Sequence, residues 1–385
     1  MGNHKQNVPV GYKQKISPET YVCLGLILLI FGFLSYKLGA VTLMQTIMQL
    51  SFDLLINTCL FLMAICVIMG GLAAILAEFG IIDLFNVILS PLMKPLYHLP
   101  GSAALGVITT FFSDNPAILS LTANASFRSG FQRYQLPALC NLGTSFGMGM
   151  VVITYMAALE IANIGAAVLA GFLGAFVGSI ISTRLMLRAT RNFYGDQAED
   201  SLVDPDFQES GLHKLRKVRP GNAFQRVMDA LLEGGKSGVE IGLAIIPGVV
   251  IICTLVILFT NGPEDKFPGV ALIPWVGDKL NFIIQPLFGF TSPQALSVPL
   301  TALGSAGASL ALVPVLVNKA LIAANDVAVF TAICMCWSGY LSTHIAMMDS
   351  LKARDLASKA ILSHTVGGLG AGIAANFLFK LFTSL

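Results

Sequence analysis

The chain has 385 residues, of which 55% are apolar and only 11% are charged. A typical soluble domain carries about 25% charged residues, so the composition excludes an ordinary soluble globule, and the high apolar content excludes a disordered chain. The formal net charge of +2 argues against nucleic acid as a partner. These numbers indicate an integral membrane protein whose surface is largely solvated by lipid.

Long apolar runs predict the membrane-spanning helices, because a bilayer core of roughly 30 Å takes about 20 residues of helix. Seven runs qualify: 20–41, 52–79, 136–158, 161–186, 239–260, 326–347 and 358–383. Two further apolar segments, 101–126 and 293–320, are interrupted by Gly, Pro or polar residues. A half-length helix, a polar break and another half-length helix are typical of a re-entrant hairpin.

An internal repeat with a period near 190 residues relates the two halves of the chain. The motif DLFNVILSPL, which begins at Asp83, matches DKLNFIIQPL, which begins at Asp278, and both precede a broken segment. Each copy contains three full crossings, an odd number, so the second copy enters from the opposite side. This is the inverted repeat of secondary transporters, whose substrate sites lie near the bilayer midplane at the repeat interface.

We therefore expect an all-α polytopic membrane protein with about seven transmembrane helices and two re-entrant hairpins in an inverted repeat. The expected division is 1–51 for an N-terminal tail and first span, 52–186 for repeat 1, 187–224 for a charged cytoplasmic linker and 225–385 for repeat 2. In this topology 18 of the 23 Lys and Arg residues share one side, which the positive-inside rule makes cytoplasmic. The N-terminus is then cytoplasmic, the C-terminus is outside, and the expected location is the cytoplasmic (inner) membrane.

Several motifs resemble the nucleoside recognition, or Gate, domain family. They are EGGKSGVEIGLAIIP from Glu233 to Pro247, PLTALGSAG from Pro299 to Gly307, Asn115-Pro116, and LCNLGTS at 139–145. That family is similar to parts of concentrative nucleoside transporters and of the ferrous iron transporter's membrane domain, and to spore maturation proteins A and B. The resemblance implies two fused Gate units and transport of a nucleoside-like solute. The Phe112-Ser113-Asp114 stretch departs from the small residues expected there.

Asp114 is the leading candidate for function, because a carboxylate in the middle of a hairpin at bilayer depth is costly and usually functional. Ionised, it can bind Na⁺ or a cationic substrate; protonated, it can couple transport to H⁺. The structural alternative is an Asp that caps the second half-helix, with Pro116 in its first turn.

Polar side chains of the hairpins and of the facing spans form the predicted substrate site. Exposed backbone at half-helix ends, together with such groups, can hydrogen-bond a polar solute, whereas the structural alternative is packing through interhelical hydrogen bonds. The predicted substrate-binding residues are Ser113, Asp114, Asn115, Asn141, Thr144, Ser145, Thr301, Ser305 and Ser309.

Ion or proton coupling is assigned to Asp114, to His344, and to the repeat-related pair Asp53 and Glu240 near span ends. For His344 the alternative is a structural histidine, and for Asp53 and Glu240 it is interfacial positioning of their helices. Cofactors and resident metals are not expected, because no set of Cys and His has metal-ligand spacing. The glycine pairs Gly174/Gly178 and Gly368/Gly372 predict a close helix contact, either between the repeats or in a homo-oligomer.

The sequence thus predicts a non-enzymatic secondary transporter of a small polar solute, driven by H⁺ or Na⁺, in which the hairpins move against the remaining spans. Its expected partners are a small-molecule or ion substrate and the lipid bilayer. The first alternative is a channel or lipid-precursor translocase that uses the same cavity. The second is an envelope or spore-maturation assembly protein without transport.

Overall fold

A computed structural model describes residues 15–115, 117–123, 127–128, 130–198, 200 and 218–384. The chain is 81% helical, and the described residues contain no strand, which confirms the predicted all-α membrane fold. The N-terminal tail up to residue 14 and linker residues 201–217 lie outside the described residues. So do Pro116 and residues 124–126 of the first broken segment (hairpin 1, 101–126).

We number the helices in chain order, treating a helix that continues through a π turn as one. They are α1 Pro18–Leu38, α2 Ala40–Glu78, α3 Ile81–Tyr97, α4 Ala103–Phe112, α5 Ala117–Ala123, α6 Gln135–Thr144, α7 Gly149–Ala157, α8 Ile164–Tyr194, α9 Ala223–Thr260, α10 Leu272–Phe288, α11 Ser297–Ala302, α12 Ala306–Asn318, α13 Ala324–Cys336, α14 Tyr340–Ser350 and α15 Ala357–Ser384.

Six stretches of the described chain are long and apolar enough to cross a membrane, and they match six of the seven predicted spans. They are α1, α2, α6 with α7, α8, α9 and α15. The remaining predicted span, 326–347, consists of the shorter α13 and α14. The chain turns between them at Gly339, whose φ of +63° is the left-handed conformation that glycine adopts at low cost.

The order of elements recurs in the two halves of the chain. Each half begins with a long helix (α2 or α9), continues with a 17-residue helix (α3 or α10) and then has two short helices that contact each other. Each half ends with a broken helix and a long closing helix, α8 or α15. The motifs at Asp83 and Asp278 lie within α3 and α10, so the sequence repeat coincides with a repeat of structure.

Both opening helices contain a π turn, at Leu54–Cys59 in α2 and at Val249–Cys253 in α9. The two π turns contact each other, and Ser51 Oγ lies 3.3 Å from Thr254 Oγ1 beside them. In α9 the turn begins two residues after Pro247, which has no N–H to donate and therefore interrupts the α-helical hydrogen bonds. Such turns are frequent at functional sites.

Two glycine-lined crossings hold the halves together. α8 crosses α15 where a Cβ on Gly178 would lie 2.5 Å from both Ala371 Cβ and the Gly367 carbonyl oxygen, and α2 crosses α9 at Gly70 and Gly234. Both crossings join a helix of the first half to one of the second. The predicted close contact therefore forms between the repeats at Gly174 and Gly178, whereas Gly368 and Gly372 face Trp337 and Ile333 of their own half.

We predict that Gly178→Val destabilises the fold by about 1–3 kcal/mol, because the new side chain would force α8 and α15 apart. Gly165→Val in the same helix is the matched control, since no atom lies within 4 Å of a Cβ there. Thermal unfolding of both purified variants measures the effect. Equal midpoints would contradict the importance of this crossing.

Candidate functional site

Four interruptions of helical backbone define the candidate site. One lies in hairpin 1, at 113–115 after α4, and one lies in the second broken segment (hairpin 2, 293–320), at 303–305 between α11 and α12. The other two interrupt the broken helices, at 145–148 between α6 and α7 and at 337–339 between α13 and α14. Non-helical backbone at membrane depth requires burial in protein or a wet cavity, so these four places are where polar chemistry can occur.

Asn115 joins three of the four interruptions. Its Nδ2 donates to the Ser338 carbonyl oxygen at 2.9 Å and lies 3.4 Å from Ser338 Oγ, so hairpin 1 is tied to the break between α13 and α14. Its carboxamide also packs against Gly147, where a Cβ would overlap Oδ1. The side chain is 1% exposed, and Oδ1 has no hydrogen-bond partner among the described residues.

Ser113 and Asp114 precede Asn115 in the same hairpin break. The partly buried Asp114 carboxylate accepts a hydrogen bond from the Asn115 backbone N–H at 2.7 Å, and no other partner contacts it in the described chain. Ser113 is exposed and lines a cavity of about 250 Å³ that is otherwise walled mainly by α2 and α9. Hairpin 1 therefore presents the Ser113 hydroxyl to a cavity, and the Asp114 carboxylate belongs to the next residue along the chain.

The polar residues of hairpin 2 make mostly local hydrogen bonds. Ser305 caps α12 through Ala308 N and lies against Gly248, directly before the π turn of α9. Thr301 Oγ1 donates to the Ser297 carbonyl oxygen at 2.7 Å, and Ser309 Oγ donates to the Ala306 carbonyl oxygen at 2.7 Å. Thr301 and Ser309 are buried by packing, while Ser305 is half-buried at the break.

The predicted residues of the facing span are fully buried in a polar layer between the repeats. Asn141 Nδ2 donates to Ser182 Oγ at 3.1 Å and to the Ala360 carbonyl oxygen at 3.0 Å. Ser145 Oγ donates to the Asn141 carbonyl oxygen at 2.8 Å, and Thr144 Oγ1 lies 3.3 Å from His344 Nε2. This layer connects α6 to α8, α14 and α15.

His364 belongs to the same layer and was not selected from the sequence. Its ring centre lies 4.5 Å from that of His344, and its Nδ1 lies 2.9 Å from Ser182 Oγ. Its Nε2 has no hydrogen-bond partner in the described part of the chain. The sequence signal was present, because His364 is an ionisable residue inside the predicted span 358–383, and such residues are usually functional.

Asp53 and Glu240 contact none of the four interruptions. The Asp53 carboxylate pairs with Lys266 Nζ at 3.5 Å and accepts from Asn57 Nδ2 at 3.2 Å. Glu240 is exposed on α9. Within the described residues, no group of three or more His, Cys, Asp and Glu side chains is placed to hold a metal ion.

The cavity beside Ser113 adjoins a second cavity of about 410 Å³, since Arg219 and Glu233 line both. Arg219 pairs with Glu78 and Glu233, each at 2.6 Å, and Arg226 Nε donates to Glu78 at 2.7 Å. Glu78 ends α2, whereas Arg226 and Glu233 lie on α9, so these ion pairs fasten the ends of the two helices around the cavities. In the predicted topology this opening is cytoplasmic.

Comparison with known proteins identifies the fold. No protein-family profile and no curated protein matches the chain by sequence. The chain is similar to a structure of CNTnw in an inward-facing substrate-bound state, with 13% identity, a TM-score of 0.57, and coverage of 94% of this chain and 88% of that one. A variant of CNTnw in an outward-facing state gives 13% identity, a TM-score of 0.55 and coverage of 96% and 87%.

A further CNTnw variant, in an intermediate state, is 14% identical, with a TM-score of 0.52 and coverage of 94% and 86%. CNTnw is a concentrative nucleoside transporter. At these identities the likeness establishes the fold alone. The chain is therefore a multi-pass membrane protein with a CNT-like fold.

We predict that Glu78→Gln lowers the free energy of unfolding, because it removes the charge shared by two arginines at a site that is 3% exposed. Glu233→Gln is the control: its side chain is 71% exposed, and exposed ion pairs contribute at most about 1 kcal/mol. Thermal unfolding in detergent compares the two. A larger effect of Glu233→Gln would contradict this ranking.

Proposed function

We propose that the chain is a secondary transporter of a small polar solute, nucleoside-like in size and polarity, that works by alternating access around its two hairpins. The observation that carries the proposal is the position of the hairpin 1 break. On one side Ser113 faces an open cavity, and on the other Asn115 binds the break between α13 and α14. A solute bound at this break would contact both halves of the repeat.

The likeness to CNTnw supports the proposal by analogy of fold. CNTnw has been described in inward-facing substrate-bound, outward-facing and intermediate states, which is the behaviour that alternating access requires. For this chain we assign substrate contact to Ser113, Asp114 and Ser305, which border breaks and are not fully buried. The enclosed Asn141, Thr144 and Ser145 support the site from behind.

Two parts of the site can couple transport to an ion. Imidazole groups can accept and release protons, and the buried pair His344 and His364 lies next to the break at 337–339. The Asp114 carboxylate and the unpartnered Asn115 Oδ1 are instead adjacent oxygen donors, which suit a hard cation such as Na⁺. Asp53 and Glu240 are assigned to positioning α2 and α9, since neither contacts a break.

The proposed location is the cytoplasmic (inner) membrane, with the N-terminus inside and the C-terminus outside. This orientation follows from the distribution of Lys and Arg residues. It places the paired cavities at the cytoplasmic opening, so the conformation described is open to the inside.

We predict that Asp114→Asn abolishes solute uptake into proteoliposomes while leaving the protein folded and inserted, because uptake requires the carboxylate at the hairpin break. Asp83→Asn is the control, as Asp83 is exposed in the first turn of α3. Uptake of labelled nucleosides, bases and amino acids is measured under a pH gradient and, separately, under a Na⁺ gradient.

The gradients distinguish the coupling ions. Proton coupling predicts that His364→Gln removes the response to the pH gradient, whereas Na⁺ coupling predicts that it leaves the response to Na⁺ intact. Full uptake by Asp114→Asn would contradict the assigned site. Uptake by the wild type down a solute gradient, without any ion gradient, would favour a channel. Movement of labelled lipid precursors would favour a translocase. If the wild type transports nothing, an assembly protein is favoured.

A further inference from the structure

We propose that an anionic phospholipid binds along the contact between α3 and α8, with its phosphate at the cytoplasmic end and an acyl chain in an aromatic groove nearer the bilayer centre. The proposal rests on two cavities that contain none of the residues assigned to substrate contact, although Phe112 lines both the apolar one and the cavity beside Ser113. Both are lined by residues of α3 or its C-terminal cap together with residues of α8. It is independent of the proposed transport function.

The first cavity, which we call the Phe groove, has a volume of about 360 Å³ and no polar lining residue. Its lining residues are Phe85, Leu89, Val107, Ile108, Phe111, Phe112, Phe146, Phe172 and Phe176. Neighbouring side chains on the two helices are exposed, including Ile88 at 56% and Leu169 at 51%. On a membrane-embedded helix such exposed apolar surface faces lipid, so the groove is open to acyl chains and unsuited to a polar solute.

The second cavity, which we call the Arg pocket, has a volume of about 230 Å³ and is lined by His98, Tyr134, Arg184, Leu187, Arg188 and Arg191. Arg191 lies over the Tyr134 ring at 5.6 Å, and Arg184 donates to the Pro95 and Leu96 carbonyl oxygens, each at 2.8 Å. These contacts fix the guanidinium groups of Arg184 and Arg191 at the pocket, which Arg188 also lines.

The two cavities lie at opposite ends of one helix contact. Phe85 and Leu89 on α3 line the Phe groove together with Phe172 and Phe176 on α8, and Tyr97 Oη lies 2.8 Å from Ser179 Oγ, nearer the Arg pocket. Phe172 and Arg184 are twelve residues apart, about 18 Å along α8 at a rise of ~1.5 Å per residue.

That spacing and order match a phospholipid, which has a charged phosphate at the membrane surface and chains that extend toward the bilayer centre. Between the cavities Val177 is 40% exposed and Leu92 is 43% exposed, so the chain would lie against apolar side chains. Basic pockets at the cytoplasmic ends of membrane helices are typical sites for anionic lipid headgroups. A free phosphate would use the Arg pocket alone and leave the Phe groove without a role.

The test measures thermal stabilisation of the purified full-length chain in detergent by phosphatidylglycerol, phosphatidylcholine with the same chains, and inorganic phosphate. We expect phosphatidylglycerol to stabilise at concentrations at least about tenfold lower than phosphatidylcholine, and phosphate to have little effect. Arg188→Gln should weaken the phosphatidylglycerol effect about fivefold, the change expected for one cation near a membrane surface. Lys236→Gln, an exposed cation on α9, should leave it unchanged.

A second pair of variants tests the Phe groove. Leu89→Trp fills it and should weaken phosphatidylglycerol binding, whereas Leu243→Trp, on the exposed surface of α9, should not. If Leu89→Trp fails to fold, Phe85→Ser, which removes a half-exposed wall of the groove, replaces it. The proposal would be overturned if both lipids stabilised the chain equally or if phosphate alone had the full effect. It would also be overturned if Arg188→Gln left the phosphatidylglycerol effect unchanged, or if the groove variants changed the oligomeric mass.

Discussion

The hydrocarbon core of a bilayer contains no water to satisfy an unpaired backbone N–H or C=O. This constraint explains why the four helix interruptions do not lie at separate places on the surface. Three of them meet at Asn115, whose amide donates to the backbone of Ser338 and packs against Gly147. The fourth is capped by Ser305 and lies against the π turn of α9. The polar groups at the four interruptions therefore lie between the two halves of the chain.

Glycine residues allow the long helices to pack closely around the four helix interruptions. The crossings of α8 with α15 and of α2 with α9 bring backbones into contact without side chains between them. The first crossing lies beside the buried histidine layer, and the second borders the cavity next to Ser113. Movement of the hairpins between these paired helices would change access to the Asp114 carboxylate without breaking either crossing.

Much of this arrangement could be predicted from the sequence, because lipid leaves few places for polar residues. The scarcity of charge selects Asp114, and the motifs at Asp83 and Asp278 reveal the repeat. The break between α13 and α14 could not be predicted, because Trp337 and Tyr340 keep the run apolar and the turn depends on the left-handed Gly339. The pairing of His364 with His344 joins residues 20 positions apart on different helices, so spacing alone does not show it.

The central claim is that a small polar solute binds at the hairpin breaks. Its most direct test is the thermal stability of the purified chain across a panel of nucleosides, bases, amino acids and ions, repeated with Asp114→Asn. A bound solute stabilises the folded state by an amount that rises with the ratio of its concentration to its Kd. The account predicts dose-dependent stabilisation of the wild type by at least one nucleoside-like solute and its loss in Asp114→Asn. Stabilisation by none of them, or equal stabilisation of both proteins, would contradict it.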